Sequence, residues 1–335
     1  MKALQLTKVG SLEGIRWTDV DDPVMGDLDV LVKIEATSLN FRDYGFITGA
    51  YSLVHPLPIT LGSDAAGVVV KTGAKVRTFK AGDRVISLLR QNWQGGKLNR
   101  TKAADQLGGT VAGVFSEYYS FPETGLVKAP ANLTMEESAT LPTAGLTAFR
   151  VLVESGIVPG QTVLVQGTGA VSLFALQIGA KMGFRMIATT GNAANDEFLR
   201  QLGAHEVLNY REQRAWGAEA NKLTNGMGVD LVMDVAGGQS LEQSIDAVAL
   251  NGEVAVIGFL ESSQATINLV TLIRKNAALK AYTTGSSDRL KDFVQWLEVN
   301  PIKPVVGGIY SNYHESFQAF EERARPGKIV VVHKD

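Results

Sequence analysis

The stretch Thr162-Val163-Leu164-Val165-Gln166-Gly167-Thr168-Gly169-Ala170-Val171-Ser172 constrains this chain more than any other. Its apolar, β-branched start reads as a buried strand, and the small residues after it let the backbone turn sharply and approach a ligand with no side chain in the way. A helix is predicted over Val171 to Gly183, whose first turn presents backbone N–H groups and the positive end of its dipole to a pyrophosphate. A second apolar strand, Arg185 to Thr190, completes a strand, helix and strand unit of about 30 residues. The pattern is G-x-G-x-x-S. Ser172 stands where a third glycine would permit close helix packing, and serine is small enough to keep it. A glycine-rich turn by itself has a purely structural reading. In this context Gly167, Thr168, Gly169, Ala170, Val171 and Ser172 are the candidate pyrophosphate-binding residues.

An acidic residue about 20 positions beyond the glycines would hold the ribose 2′-hydroxyl of NAD. The chain reads Thr189-Thr190-Gly191-Asn192-Ala193-Ala194-Asn195, with no carboxylate before Asp196. Hydroxyls and amides accept a 2′-phosphate that a fixed carboxylate would repel, so NADP(H) is the expected coenzyme, with Thr190 and Asn192 beside it. Arg200 and Tyr210 are candidates to reach the phosphate. For Arg200 the alternative is a solvated helix position.

At 335 residues the chain exceeds one ordinary core, which predicts two domains. A formal net charge of −2 gives no field to gather nucleic acid or an anionic membrane, so neither is an expected partner. No run of about 18 apolar residues occurs, and Met1-Lys2-Ala3 leads into a strand-like segment rather than a signal peptide; the expected location is cytoplasmic. There is no cysteine, which excludes disulfides, thiolate nucleophiles and cysteine-ligated zinc. His55, His205, His314 and His333 are scattered without the spacing of a metal pair, so no metal site is predicted.

Residues 1 to about 125 read as short strands between turns: Lys2 to Thr7, Val30 to Ala36, Ala65 to Val70 and Arg84 to Leu88 are the clearest. The segment Asn40 to Tyr51 mixes polar and aromatic residues and is a candidate pocket wall, with Phe41 on it. From Arg90 to Gly113 periodicity is lost, and Trp93 is either a pocket lid or an anchor for the loop. Beyond the glycine-rich turn, strands at Glu206 to Leu208, Val229 to Val235 and Glu253 to Gly258 alternate with helices, which predicts a parallel doubly wound sheet. Ligands of such sheets sit beyond the carboxyl ends of the strands, so Val235 to Gly238 and Gly258-Phe259-Leu260 are expected to face the coenzyme. Ala277 to Thr283 is the expected last strand, at an edge that would pair with a second copy in a homodimer. Lys328 to Val332 reads as a strand returning to the N-terminal β-rich part.

Taken together, Ser38 to Asp43, Gly62-Ser63-Asp64-Ala65-Ala66-Gly67, Gly82 to Val85, Leu141 to Ala148, Gln166 to Ser172, Leu202 to Arg211 and Gly327-Lys328-Ile329-Val330 resemble the medium-chain dehydrogenase/reductase superfamily, in particular its zinc-free, quinone-oxidoreductase-like branch. The resemblance implies an α/β chain: a discontinuous GroES-like catalytic domain over residues 1–125 and 269–335, and a Rossmann domain over 126–268, with the active site in the cleft between them. Zinc-dependent relatives place metal ligands where this chain has Asn40-Phe41 and Ser63-Asp64, which cannot make such a site. The resemblance further implies Tyr51 as proton donor, Asn40 as a group orienting the substrate oxygen, and Thr143 as a contact of the nicotinamide amide. Gly258, Phe259 and Lys328 would line the rest of the coenzyme path, and Phe41, Trp93 and Phe259 the substrate pocket.

Three functions follow from this reading. The first is hydride transfer from NADPH to a quinone or α,β-unsaturated carbonyl, acceptors that need less metal assistance than a simple ketone. The second is a zinc-free alcohol or carbonyl oxidoreductase on the same fold. The third, favoured by the missing glycine and metal, is a nucleotide-binding protein without catalysis.

Overall fold

The computed structural model describes residues 1–323 and 325–333, so the last two residues of the expected first domain lie outside it. The chain divides into two compact units, one of Met1–Leu146 with the chain from Thr284 onward, the other of Thr147–Thr283. The divisions fall later than the expected 125/126 and 268/269, for a reason visible in the strand pairing. Leu126–Lys128 pairs with Arg84–Ser87 and so belongs to the first unit, while Ala278–Ala281 pairs with Val248–Val256 and completes the sheet of the second.

The second unit is a six-stranded sheet in the order Glu206–Asn209, Arg185–Thr190, Thr162–Gln166, Val229–Asp234, Val248–Val256, Ala278–Ala281, with every neighbouring pair parallel. Thr162–Gln166 lies inside the sheet and is buried along its whole length, which is why it reads as a continuous apolar run rather than an alternating one. Helices Ala170–Lys181, Asp196–Gln201, Trp216–Leu223, Ser240–Ala247 and Leu269–Lys275 connect the strands. Val248–Val256 stops two residues short of the expected Gly258, because the N–H groups of Ile257 and Gly258 both turn to the Asp234 carbonyl. Leu164, Ile187, Trp216, Val232, Ile245 and Val254 form a core on this sheet.

The first unit is β-rich. Its seven-stranded sheet runs Val306–Tyr310, Lys328–Val332, Asp29–Ser38, Asp64–Thr72, Arg84–Ser87, Leu126–Lys128, with Tyr118–Pro122 also paired to Asp29–Ser38. The C-terminal strand therefore lies antiparallel to Asp29–Ser38, with Val330 opposite Ser38. A small sheet of Ile15–Asp19, Lys2–Leu6 and Ile59–Thr60 packs with it around Leu4, Leu6, Ile34, Phe115 and Phe317. Residues 40–51 form the helix Phe41–Thr48, begun when the Asp43 carboxylate accepts the Asn40 N–H at 2.8 Å and ended by Gly49 at φ +83°. The expected loop of 90–113 is not featureless: it contains the short helix Arg100–Ala103, and Ser287 and Asp288 donate backbone N–H groups to its Trp93 and Gln94 carbonyls. Among the described residues no helix is long and apolar enough to cross a membrane.

Candidate active site

In the second unit the glycine-rich turn leaves its backbone open. A Cβ at Gly169, or at Gly167 with its φ of +72°, would meet nothing within 4 Å. Gly169 caps the 12-residue helix Ala170–Lys181 in an extended conformation and gives its first turn no side-chain cap bond. Such a cradle fits a dinucleotide pyrophosphate. Ser172 is buried, and its hydroxyl donates to the Gln166 carbonyl at 2.6 Å. That bond is how a residue larger than glycine is accommodated against the strand.

Gln166 anchors the turn opposite. Its amide oxygen accepts the N–H groups of Val235 and Ala236 at 3.1 and 3.3 Å, and its NH₂ donates to Asp234, Ser240 and Ser244. The buried Asp234 carboxylate in turn takes the N–H groups of Ala236 and Gly237. Residues 235–238 are thereby fixed at the carboxyl end of the sheet, with the Phe259 backbone and Cβ within 3.3 Å of where a Gly237 side chain would begin.

At the end of Arg185–Thr190 the hydroxyl of Thr190 and the amide oxygen of Asn192 serve the turn itself, through bonds with Asn192 N, Asn195 Nδ2 and Ala194 N. Arg200 is engaged by Asp196 at 2.8 Å and by the His205 carbonyl at 2.8 Å, a helix-surface position. Tyr210 lies against Gly191, where an added side chain would collide with its hydroxyl and stand 3.1 Å from Arg211 Nε. Arg211 escaped the sequence reading although Asn209-Tyr210-Arg211 was part of the motif series. A cavity of about 210 Å³ opens beside this turn, bordered by Thr190, Ala193, Asp196, Asn209 and Glu212. Its two carboxylates are already partnered, Asp196 by Arg200 and Glu212 by Asn209.

The first unit holds a buried polar cluster. Lys328 Nζ donates to Leu39 O at 2.8 Å and Asn40 Oδ1 at 2.7 Å, and lies 3.3 Å from Asp64 Oδ2. Asp64 Oδ1 accepts from the hydroxyls of Ser63 at 2.8 Å and Thr143 at 2.6 Å, and Oδ2 from Thr143 N at 3.2 Å. Asn40 Nδ2 reaches Ser63 Oγ at 3.3 Å. Lys328, expected along the coenzyme path, is thus turned into the protein, and burial holds its ammonium pKa below the ordinary lysine range. Asn40 spends its carbonyl on Lys328. Asp64 and Ser63, read from the sequence only as inadequate metal ligands, are the centre of the cluster; a carboxylate flanked by small residues at the start of an apolar strand was the available signal.

Tyr51 is half-buried against Phe41 and Phe46, with ring centroids 6.2 and 5.9 Å away. Burial pushes its phenol up and the Arg42 guanidinium pulls it down. Trp93 is 2% exposed, with its indole N–H given to Gly96 O at 2.9 Å. It is the anchor of its loop and not a pocket wall, because a ring sealed by its own loop offers no face to a ligand.

The cluster does not fit zinc. A structural or catalytic zinc takes three or four nitrogen, sulfur or carboxylate ligands, whereas Asp64 is surrounded by two hydroxyls, an N–H and an ammonium. Among the described residues no group of three or more His, Cys, Asp or Glu is placed to hold a metal ion.

A discontinuous β-rich unit joined to a parallel doubly wound sheet with an open glycine turn is the architecture of two-domain, nicotinamide-dependent oxidoreductases. The alcohol dehydrogenase GroES-like domain family matches residues 26–131, and the zinc-binding dehydrogenase family residues 170–299. A zinc-type alcohol dehydrogenase-like protein of Schizosaccharomyces pombe is 38% identical over 90% of both chains. The human quinone oxidoreductase is 28% identical over 92% of this chain and 90% of its own. A crystal structure of an NAD-dependent alcohol dehydrogenase is 31% identical, covers both chains fully and superposes with a TM-score of 0.89. The chain belongs to the medium-chain dehydrogenase/reductase superfamily, whose members bind a nicotinamide coenzyme.

Proposed function

We propose that this oxidoreductase passes hydride from NADPH to a quinone or an α,β-unsaturated carbonyl without zinc. The observation that carries this reading is the state of Asp64, whose oxygens are engaged by Lys328, Ser63 and Thr143. Reduction of a plain ketone needs an electrophile on its oxygen, and this cluster holds none in a form that fits a Lewis-acid metal. A quinone or enone spreads the incoming charge through its own conjugation. The coenzyme supplies two electrons as hydride, and one proton completes the hydroquinone or the saturated ketone. Tyr51 is the proposed source of that proton: its raised pKa keeps it protonated at neutral pH, and Arg42 eases its release. Phe41, packed edge-on against Tyr51, is proposed to flank the acceptor.

The preference for NADPH is supported by Tyr210 and Arg211 over Gly191, where a planar guanidinium suits a phosphate. A zinc-free alcohol or carbonyl oxidoreductase is the second reading, favoured by the Schizosaccharomyces pombe relative and the solved alcohol dehydrogenase. Coenzyme oxidation with 1,4-benzoquinone, methyl vinyl ketone and acetone in parallel separates the two. The proposal expects turnover with the first two at least 10²-fold above acetone, unchanged by chelators. Equal rates with acetone, or stoichiometric zinc whose removal abolishes activity, would overturn it. In this reading the protein works in the cytoplasm as a homodimer on a small-molecule acceptor.

A further inference from the structure

The strand order of the second unit makes Thr162–Gln166 and Val229–Asp234 neighbours, and the chain leaves them in opposite directions. From the first it runs through Ala170–Lys181 to Arg185–Thr190, and from the second through Ser240–Ala247 to Val248–Val256. Such a reversal opens a crevice beyond the carboxyl ends of the two strands, where open parallel sheets hold their ligands. Val165 pairs with Met233, so Gln166 and Asp234 stand level at the floor of that crevice, 5% and 0% exposed. The Gln166 side chain crosses it. Starting from the last residue before the glycine-rich turn, it reaches the first two backbone N–H groups of the facing turn, those of Val235 and Ala236.

Every bond of this bridge has a fixed direction. Asp234 Oδ1 accepts the Ala236 N–H at 3.1 Å and the Gly237 N–H at 2.8 Å, and Oδ2 accepts the Ser244 hydroxyl at 2.6 Å and Gln166 Nε2 at 3.2 Å. A carboxylate has no proton to give, so the Gln166 NH₂ faces it and the amide oxygen faces Val235 and Ala236. Turned over, the amide would set its NH₂ against two N–H groups and its oxygen against a carboxylate. Beyond the bridge, Gly237 and Gly238 take φ of +65° and +53° and lead into helix Ser240–Ala247. The course of the turn is therefore set by two side chains from the strands beneath it.

We infer that Gln166 and Asp234 are paired positioning residues: their bridge holds turn 235–238 at a set distance from the glycine-rich turn, so that the backbones of both face one dinucleotide in the crevice. The inference rests on coenzyme binding by this sheet and not on which acceptor is reduced. In Gln166→Glu two carboxyl groups meet. While the new one keeps its proton, its O–H donates to Asp234 and its carbonyl accepts Val235 and Ala236, and the bridge survives. Its ionisation sets two negative charges together and releases the turn. In the exchanged pair Gln166→Glu/Asp234→Asn, acid and amide trade places, the Ser240 and Ser244 hydroxyls turn round, and each bond has a donor and an acceptor again.

The test measures NADPH and NADH dissociation by fluorescence titration for wild type, Gln166→Glu, Asp234→Asn and the exchanged pair, with circular dichroism and urea midpoints at each pH. Relative to wild type, Gln166→Glu is expected to bind normally at about pH 6 and at least about tenfold more weakly at about pH 9, while still folded. Glu261, exposed and accepting the Ser240 N–H at 3.1 Å, is the other carboxylate on the network; it is common to all four proteins, so the ratio to wild type removes its titration. Asp234→Asn is expected to bind about tenfold more weakly at every pH, and the exchanged pair to return to within about threefold of wild type with no pH dependence of its own. Should Gln166→Glu unfold at high pH, the rescue of Asp234→Asn by the exchanged pair decides. A flat ratio for folded Gln166→Glu, urea midpoints that fall at unchanged affinity, or an exchanged pair no better than Asp234→Asn would overturn the inference and leave the oxidoreductase reading standing. Wild-type protein that binds neither coenzyme overturns both.

Discussion

Asp43 and His333 show how burial of single titratable groups shapes the response to acid. Burial raises the Asp43 carboxyl from 3.8 to about 6, against the pull of Arg42, and lowers the His333 imidazole from 6.5 to about 4. Between pH 4 and 6 folded Asp43 keeps a proton that the unfolded chain has released, so its contribution to stability falls as pH rises. Folded His333 lacks a proton that the unfolded chain carries, so its contribution rises over the same window. The two slopes oppose each other in the wild type. Relative to wild type, Asp43→Asn is expected to gain stability with pH from 4 to 6, by about 3 kcal/mol across the window for a shift of about two pKa units, and His333→Gln to lose it. Urea midpoints at pH 4, 5 and 6 decide this, and parallel pH profiles for all three proteins would refute it.

At the scale of elements, the glycine turn and the helix Ala170–Lys181 act as one cradle, and its open side is where substitution tells most. Gly169→Asp has room for its side chain but sets a negative charge at the helix N-terminus, so NADPH affinity is expected to vanish while the fold persists. Fluorescence titration of a variant with wild-type circular dichroism checks both halves. Arg211→Ala, at the other end of the coenzyme, is expected to weaken NADPH about tenfold and leave NADH unchanged; equal losses for both would remove the phosphate role. The fingerprint strand, its helix and Arg185–Thr190 were legible in the sequence because each is written in local chemistry: a fully buried apolar run, small residues where the backbone must be bare, a second apolar run. Ile15–Asp19 and Tyr118–Pro122 were not, since both carry mixed faces that no periodicity distinguishes and Tyr118–Pro122 pairs with a strand far back in the chain, Asp29–Ser38. Distance along the chain also hid the roles of Asp64 and Lys328. Positions 264 residues apart are brought to 3.3 Å only by the sheet. Trp93 misled because an aromatic in a loop looks identical whether it greets a ligand or plugs its own loop.

For the whole molecule, the feature that bears on assembly is the strand Ala278–Ala281, which ends the six-stranded sheet. Helix Leu269–Lys275, which precedes it, exposes Leu269, Val270 and Ile273, the last at 74%, in an apolar group near the strand that ends the sheet. The proposed homodimer uses this face. Ile273→Asp is expected to sediment as a monomer of 35.9 kDa where the wild type sediments at twice that mass, and unchanged sedimentation would move the interface elsewhere.

The sheet of the first unit is completed by Lys328–Val332, made some 290 residues after the Asp29–Ser38 strand it lies against. Contacts so distant in the chain form late, and domains emerging from the ribosome fold in the order their residues become available. A nascent chain therefore carries the finished nucleotide-binding unit while its companion still waits for one strand, and that strand brings the ammonium that Asp64 needs. Completion of the polar cluster waits on the synthesis of Lys328, so a product truncated before that strand acquires the glycine-rich turn and never the filled cluster.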